Sequence, residues 1–126
     1  PNRWKRALDT ALNKLRSDRA ISPRNRTLLE RFALRCAADG IGPRRIIKYL
    51  QELRRMASWL GKDFDRATRA DIERLMLHLQ TEPLSEWTRH DYRVAIRKFY
   101  KVMEGGGREC PGKVAWISHD RDKTQP

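Results

Sequence analysis

Apolar residues recur every three or four positions along most of this chain, which is the spacing of one buried face of an α-helix. The pattern is strongest between Gly42 and Gly61, where Ile46, Leu50 and Leu53 belong to one such face. No segment shows the strict alternation of a half-buried strand, and no internal repeat is present. The periodicity predicts an all-α protein with five helices, near residues 3–16, 23–39, 43–60, 69–80 and 86–103.

Residues with capping chemistry stand at the predicted helix ends. Ser22 precedes Pro23, a pairing typical of a helix start, and Ser85 can cap the last helix. Thr68 followed by Asp71 has the spacing of a capping box. Three consecutive glycines, at 105–107, are expected to end the last helix, and no sustained periodicity follows them.

The length of 126 residues favours a single module with one modest core. We predict an N-terminal helix in residues 1–20, a helical core domain in residues 21–104, and a linker or tail in residues 105–126. Cys36 falls on an apolar helix face and is expected in the core, whereas Cys110 lies among the glycines. Neither cysteine has partners at the spacing of a zinc site, so no metal or other cofactor is predicted.

The charge balance is strongly basic: 28 Lys and Arg face 16 Asp and Glu, giving a net charge of +12. Such an excess is typical of proteins that bind polyanions, because neutralised phosphates release their condensed counterions. No apolar run is long enough to span a membrane, and no secretion signal is recognisable. The sequence therefore predicts a cytoplasmic, nucleic-acid-associated protein with no membrane partner.

The positive charge is unevenly distributed among the predicted helices. Residues 43–60 hold five basic and one acidic side chain, residues 85–103 hold five and two, and residues 62–80 hold four of each. At about 100° per residue, two basic stripes emerge. The first stripe comprises Arg44, Lys48, Gln51 and Arg55, with Arg45 nearby, and the second stripe comprises His90, Arg93, Arg97 and Lys101, with Arg89 beside it.

Like charges four residues apart weaken a helix slightly, so an external polyanion is the simplest reason for both stripes. A helix of this width fits the DNA major groove. The basic residues of both stripes are predicted to bind phosphates, Gln51 to read a base, and Thr88 and His90 to reach a phosphate or base edge near their helix start. The alternative is that both stripes are merely solvated faces.

Three segments carry a resemblance to a known family: GPRRIIKYLQELRRMASWLG, ATRADIERLMLHLQ and LSEWTRHDYRVAIRKFYK. The last has a Ser, a Thr a few residues later, a basic residue, and the aromatic pair Phe99 and Tyr100. From Ile21 to Lys101 the chain resembles the N-terminal core-binding domain of tyrosine recombinases, the phage-integrase family, and especially archaeal integrases related to the Xer proteins. The segment GGGRECPGKVAWIS resembles the connector that leads to their catalytic domain.

The resemblance implies a SAM-like bundle of four helices in two crossed hairpins, here with an additional N-terminal helix. It implies that the second and fourth helices of the bundle face double-stranded DNA, and that a separate C-terminal catalytic domain performs DNA integration or recombination. Oligomerisation on DNA is left open. In the family, the nucleophilic Tyr and its Arg, Lys and His partners belong to that other domain, so this chain is predicted to be non-catalytic.

His90 and Arg93 reproduce the H-x-x-R spacing of the family's catalytic box, but no preceding Arg box exists and Tyr92 faces the predicted core. We interpret the match as coincidence, and neither His78 nor His119 has a plausible catalytic partner. Two other functions remain open. One is a free-standing nucleic-acid-binding regulator derived from an integrase. The other is a helical protein-interaction adaptor that would use Trp59, Trp87 and Trp116 as anchors.

Overall fold

The computed structural model describes residues 2–118, and no strand occurs within that range. Its helices are α1 (Asn2–Arg16), α2 (Pro23–Ala38), α3 (Pro43–Leu60), α4 (Arg69–Thr81), α5 (Glu86–Met103) and α6 (Gly112–Ala115), with a 3-10 turn at Phe64–Arg66. The all-α prediction is confirmed. The five predicted helices agree with α1 to α5 to within one residue at every end.

The helix ends show the predicted capping contacts. The Ser22 hydroxyl accepts a hydrogen bond from the Asn25 amide at 3.0 Å, with Pro23 as the first residue of α2. At the start of α4, the Thr68 hydroxyl accepts from the Asp71 amide, while the Asp71 carboxylate accepts from the Thr68 amide at 2.9 Å. Gly61 ends α3 in the left-handed region, at a φ of 69°.

The chain forms two compact units: an N-terminal unit that runs to Arg66 and a C-terminal unit that begins at Ala67. This boundary lies inside the segment 21–104 that we predicted as one domain. Periodicity marks where helices lie but does not reveal which helices contact one another, so the sequence pattern contained no sign of this division. The N-terminal unit comprises α1, α2, α3 and the 3-10 turn, and the C-terminal unit comprises α4, α5 and α6.

In the N-terminal unit, polar contacts fix α3 against the two helices before it. The buried Asn25 side chain donates to the Lys62 carbonyl at 3.0 Å and accepts from the Phe64 amide at 2.8 Å, so α2 holds the turn that follows α3. Arg54 of α3 forms a 2.8 Å ion pair with Asp18 in the turn between α1 and α2. Burial raises the pKa of Asp18, but hydrogen bonds from Arg54 and the Ala20 amide outweigh it, and the net effect lowers this pKa.

In the C-terminal unit, α4 and α5 both contact α6, which the sequence pattern did not reveal. Val114 and Ile117 of this last segment are buried. Residues 111–118 therefore pack against the other helices of this unit, although their lack of periodicity predicts a linker or tail. A helix of four residues is too short to show a period, which is why this element was missed. Residues 119–126 of the predicted tail lie outside the described residues.

The two cysteines differ in exposure as predicted. Cys36 is completely buried on α2, and Cys110 is partly exposed after the glycines. We expect a thiol reagent added to the folded protein to modify Cys110 and to leave Cys36 intact until the protein unfolds. Mass spectrometry of the modified peptides measures this, with Cys110→Ser as the control that should remain unmodified. Rapid modification of Cys36 in the native protein would contradict the core assignment.

Candidate nucleic-acid interface

The first stripe lies on the outer face of α3. Arg44, Lys48, Gln51 and Arg55 are all exposed, as is Arg45 beside them. Within residues 2–118, neither Arg44 nor Arg45 forms an ion pair with a carboxylate. The only acidic residue of α3, Glu52, is buried. The exposed face of α3 therefore presents four positively charged side chains and one amide.

Two tryptophans hold guanidinium groups of this stripe. The Arg44 Cζ atom lies 5.4 Å from the centre of the Trp4 ring, and the Arg55 Cζ atom lies 5.4 Å from the centre of the Trp59 ring. Such cation–π contacts restrict the arginine side chains while leaving their charge in place. Trp59, which the sequence offers as an anchor for a protein partner, contacts Arg55 of its own helix. The contribution of Trp4 was missed, because α1 and α3 are far apart in sequence.

The second stripe, on α5, is placed differently. Its members Arg93, Arg97 and Lys101 are only partly exposed, as is Arg89 beside them. Arg89 donates to the Glu82 carbonyl at 3.1 Å and pairs with Glu86 at 2.8 Å, while Arg93 donates to the Gln80 side chain. The pattern of the second stripe predicts that Arg93 and Arg97 are available to phosphates, whereas the structure leaves both side chains only partly exposed.

Arg97 binds the end of α6. Its Nη1 atom lies within hydrogen-bond distance of three carbonyl oxygens, those of Val114, Ala115 and Ile117, at 3.1, 2.9 and 3.0 Å. The last carbonyls of a helix lack intrahelical partners, and a cation there also favours the negative end of the helix dipole. The Arg97 guanidinium thus has a structural role that the sequence could not show, since its partners follow 17 to 20 residues later.

A second cation, Lys113, holds the same segment. Its Nζ atom donates to the Ala67 carbonyl at 3.0 Å, pairs with Glu104 at 3.1 Å, and lies 4.4 Å from the centre of the Tyr100 ring. Trp116 donates its indole N–H to the Lys113 carbonyl at 2.8 Å. Several basic groups of the C-terminal unit are therefore engaged in internal contacts.

At the start of α5, Thr88 and His90 are both partly exposed. The Ser85 hydroxyl accepts from the Thr88 amide at 3.1 Å, as expected for a cap. The His90 ring meets Trp87 edge to face, with ring centres 6.3 Å apart. These two predicted contact residues lie on the same helical turn as an indole that is 63% exposed.

The H-x-x-R match does not form a catalytic arrangement. Tyr92 is buried, as predicted, and Arg93 bonds to Gln80. His78 lies 2.9 Å from Glu82 at the end of α4, and His119 lies outside the described residues. Within residues 2–118, no group of three or more potential metal ligands is close enough to bind an ion. In the same range, no helix is long and apolar enough to cross a membrane.

The division into units shows where the net charge lies. Residues 2–66 contain 17 Lys and Arg against 7 Asp and Glu, whereas residues 67–118 contain 9 against 7. On α4, Arg74 pairs with the buried Asp71, and Arg69 pairs with Glu73. The strongest attraction for a polyanion therefore comes from the N-terminal unit, where the first stripe lies.

Comparison with known protein families gives a match. The family model of the phage integrase N-terminal SAM-like domain matches residues 37–105, which is more than half of the chain. The matched residues run from the end of α2 through α3, α4 and α5, so α1 and nearly all of α2 precede them. No curated protein and no solved structure matches the chain significantly.

Proposed function

Because this chain belongs to the family of phage integrase N-terminal SAM-like domains, we propose that it binds double-stranded DNA and positions a recombination site for a separate catalytic domain. The domain type is the N-terminal part of integrases and not their catalytic part. The whole protein would then be a tyrosine recombinase, and its C-terminal catalytic domain would be the partner that breaks and rejoins DNA. We further propose a relation to archaeal Xer-related integrases, on the segment LSEWTRHDYRVAIRKFYK, and a cytoplasmic, DNA-associated location.

The observation that carries the proposal is the exposed first stripe within a strongly basic unit. Arg44, Arg45, Lys48 and Arg55 are positioned to neutralise phosphates, and Gln51 among them can donate to or accept from a base edge. On α5 we assign direct contacts to Thr88, His90 and Lys101. Arg89, Arg93 and Arg97 add positive potential there, while their hydrogen bonds go to residues of neighbouring segments, at Glu82, Gln80 and Ile117.

We expect duplex DNA to bind with a steep salt dependence and little sequence preference. Each neutralised phosphate makes the slope of log binding constant against log salt concentration more negative by about 0.9. Four contacts from α3 alone therefore give a slope of roughly −3.6. Fluorescence anisotropy with a labelled duplex between about 50 and about 200 mM salt measures this slope. An affinity that stays constant across that range would contradict a phosphate-led mode.

A protein-interaction adaptor is the second candidate, and the exposed Trp87 is the observation that favours it. The same titration separates the two functions. An adaptor has no reason to bind duplex DNA more tightly at low salt than an unrelated protein of equal net charge, which serves as the control.

A further inference from the structure

A groove runs between α1 and α3 in the N-terminal unit. Two adjoining concave surfaces share Trp4, Ile47 and Gln51, and they extend along α3 from Arg44 to Arg54. We call this the α1–α3 groove. None of the described residues that line it is Asp or Glu, whereas Lys14 of α1 and Arg44, Arg45 and Lys48 of α3 all line it. The charged side chains among these lining residues are therefore all basic, although Arg54 is paired with Asp18, and Ile47 and Leu50 give the groove an apolar floor.

Two guanidinium groups lie over the Trp4 ring, at one end of the groove. The Cζ atoms of Arg3 and Arg44 lie 5.2 and 5.4 Å from the centre of the Trp4 ring. Each cation is attracted by the ring, but two like charges held at one ring also repel each other. No carboxylate is among the described residues that line the groove, so none of those residues offsets the repulsion. An anion bound there would be attracted by both groups.

We propose that the α1–α3 groove binds the sugar–phosphate backbone of one DNA strand, with Arg3, Lys14 and Arg44 as phosphate contacts and Trp4 as the residue that positions the two arginines. The inference rests on the proposed function and extends it to α1, which lies outside the residues matched by the family model. Backbone binding requires no particular base, in agreement with a groove whose described lining residues carry only positive charge.

The α1 side of the groove is tested by charge removal at matched positions. Arg3→Gln with Lys14→Gln removes one charge that lies over the Trp4 ring and one that lines the groove. Lys5→Gln with Arg19→Gln removes two exposed charges from the same unit, neither of which lines the groove. In the full chain we expect the first pair to lower duplex affinity on the order of tenfold at about 0.1 M salt, and to flatten the salt slope by about 1.8. The second pair should change affinity by less than about threefold, through long-range attraction alone.

Failure of this inference differs from failure of the proposed function. Equal effects of the two pairs, with wild-type binding intact and Arg44→Gln with Lys48→Gln still weakening it, would overturn the groove and leave DNA binding by α3 in place. Absence of salt-dependent binding by the wild type would overturn the proposed function itself.

The positioning role of Trp4 has its own test. Trp4→Phe keeps an aromatic face for the guanidinium groups, whereas Trp4→Leu keeps only apolar volume. We expect Leu to lower duplex affinity several-fold, Phe to restore most of it, and both variants to melt at nearly the same temperature. Equal affinities of the Leu and Phe variants would show that the ring does not position the arginines, and would overturn this part of the proposal.

Discussion

Arg97→Gln should destabilise the C-terminal unit by about 2 kcal/mol, because a charged donor to three carbonyl oxygens is lost at the end of α6. Glutamine is shorter, carries no charge, and cannot favour the helix dipole in the same way. A loss of this size corresponds to a decrease in melting temperature of roughly 5 °C or more. Thermal unfolding followed by circular dichroism measures the decrease.

Arg93→Gln is the matched control for this prediction. It makes the same substitution on the same helix, one turn earlier, and removes a single hydrogen bond to the exposed Gln80. We expect its effect to stay within about 0.5 kcal/mol. Hydrogen exchange should localise the damage, since the amides of Val114, Ala115 and Ile117, which bond to carbonyls within the segment, should exchange faster only in the Arg97 variant. Equal melting temperatures for the two variants would refute the structural role of Arg97.

This prediction replaces the one that follows from the sequence alone. If the second stripe were a free surface, changing Arg93 and Arg97 together would weaken DNA binding and leave stability unchanged. Because Arg97 is bound to the end of α6, weaker DNA binding by that double variant could come from lost phosphate contacts or from a less stable C-terminal unit, and the measurement would not separate the two. A test of the second stripe therefore requires substitutions at residues whose side chains do not bond to other segments of the unit.

Arg44→Gln with Lys48→Gln should lower the affinity for duplex DNA on the order of tenfold and flatten the salt slope by about 1.8, since two phosphate contacts are removed. Both side chains are exposed and one helical turn apart, and their removal relieves a like-charge repulsion. The free energy of unfolding should consequently stay within about 0.5 kcal/mol of the wild type. Anisotropy titrations at several salt concentrations, with a melting curve for each variant, measure both quantities.

Two further double variants show whether position or total charge matters. Lys98→Gln with Lys101→Gln removes two charges from α5, and the Lys5 and Arg19 pair removes two from the N-terminal unit outside the groove. We expect the α5 pair to have an effect between those of the other two, because only Lys101 belongs to the second stripe. Equal losses in all three double variants, at unchanged stability, would mean that bulk charge drives binding, and would refute α3 as the DNA-facing surface.

The sequence by itself determined the features that depend on neighbours within about four residues. Helix bounds follow from the apolar period together with caps such as Ser22 and the pair Thr68 and Asp71, and these contacts are all local. The burial of Cys36 and the exposed stripe on α3 follow from the same geometry, because a helix fixes which residues share a face.

Only the tertiary structure decided which basic helix faces remain available to a partner such as DNA. The second stripe on α5 has the same local pattern as the first on α3, yet Arg97 is bound by carbonyls of residues 114–117 and Arg93 by Gln80. The contact between Trp4 and Arg44 joins residues 40 positions apart. The four residues of α6 are too few to show a helical period in the sequence. Periodicity predicts the side of a helix on which a residue lies. Which other segment of the chain packs against that side depends on contacts between residues far apart in sequence, and no local pattern specifies those contacts.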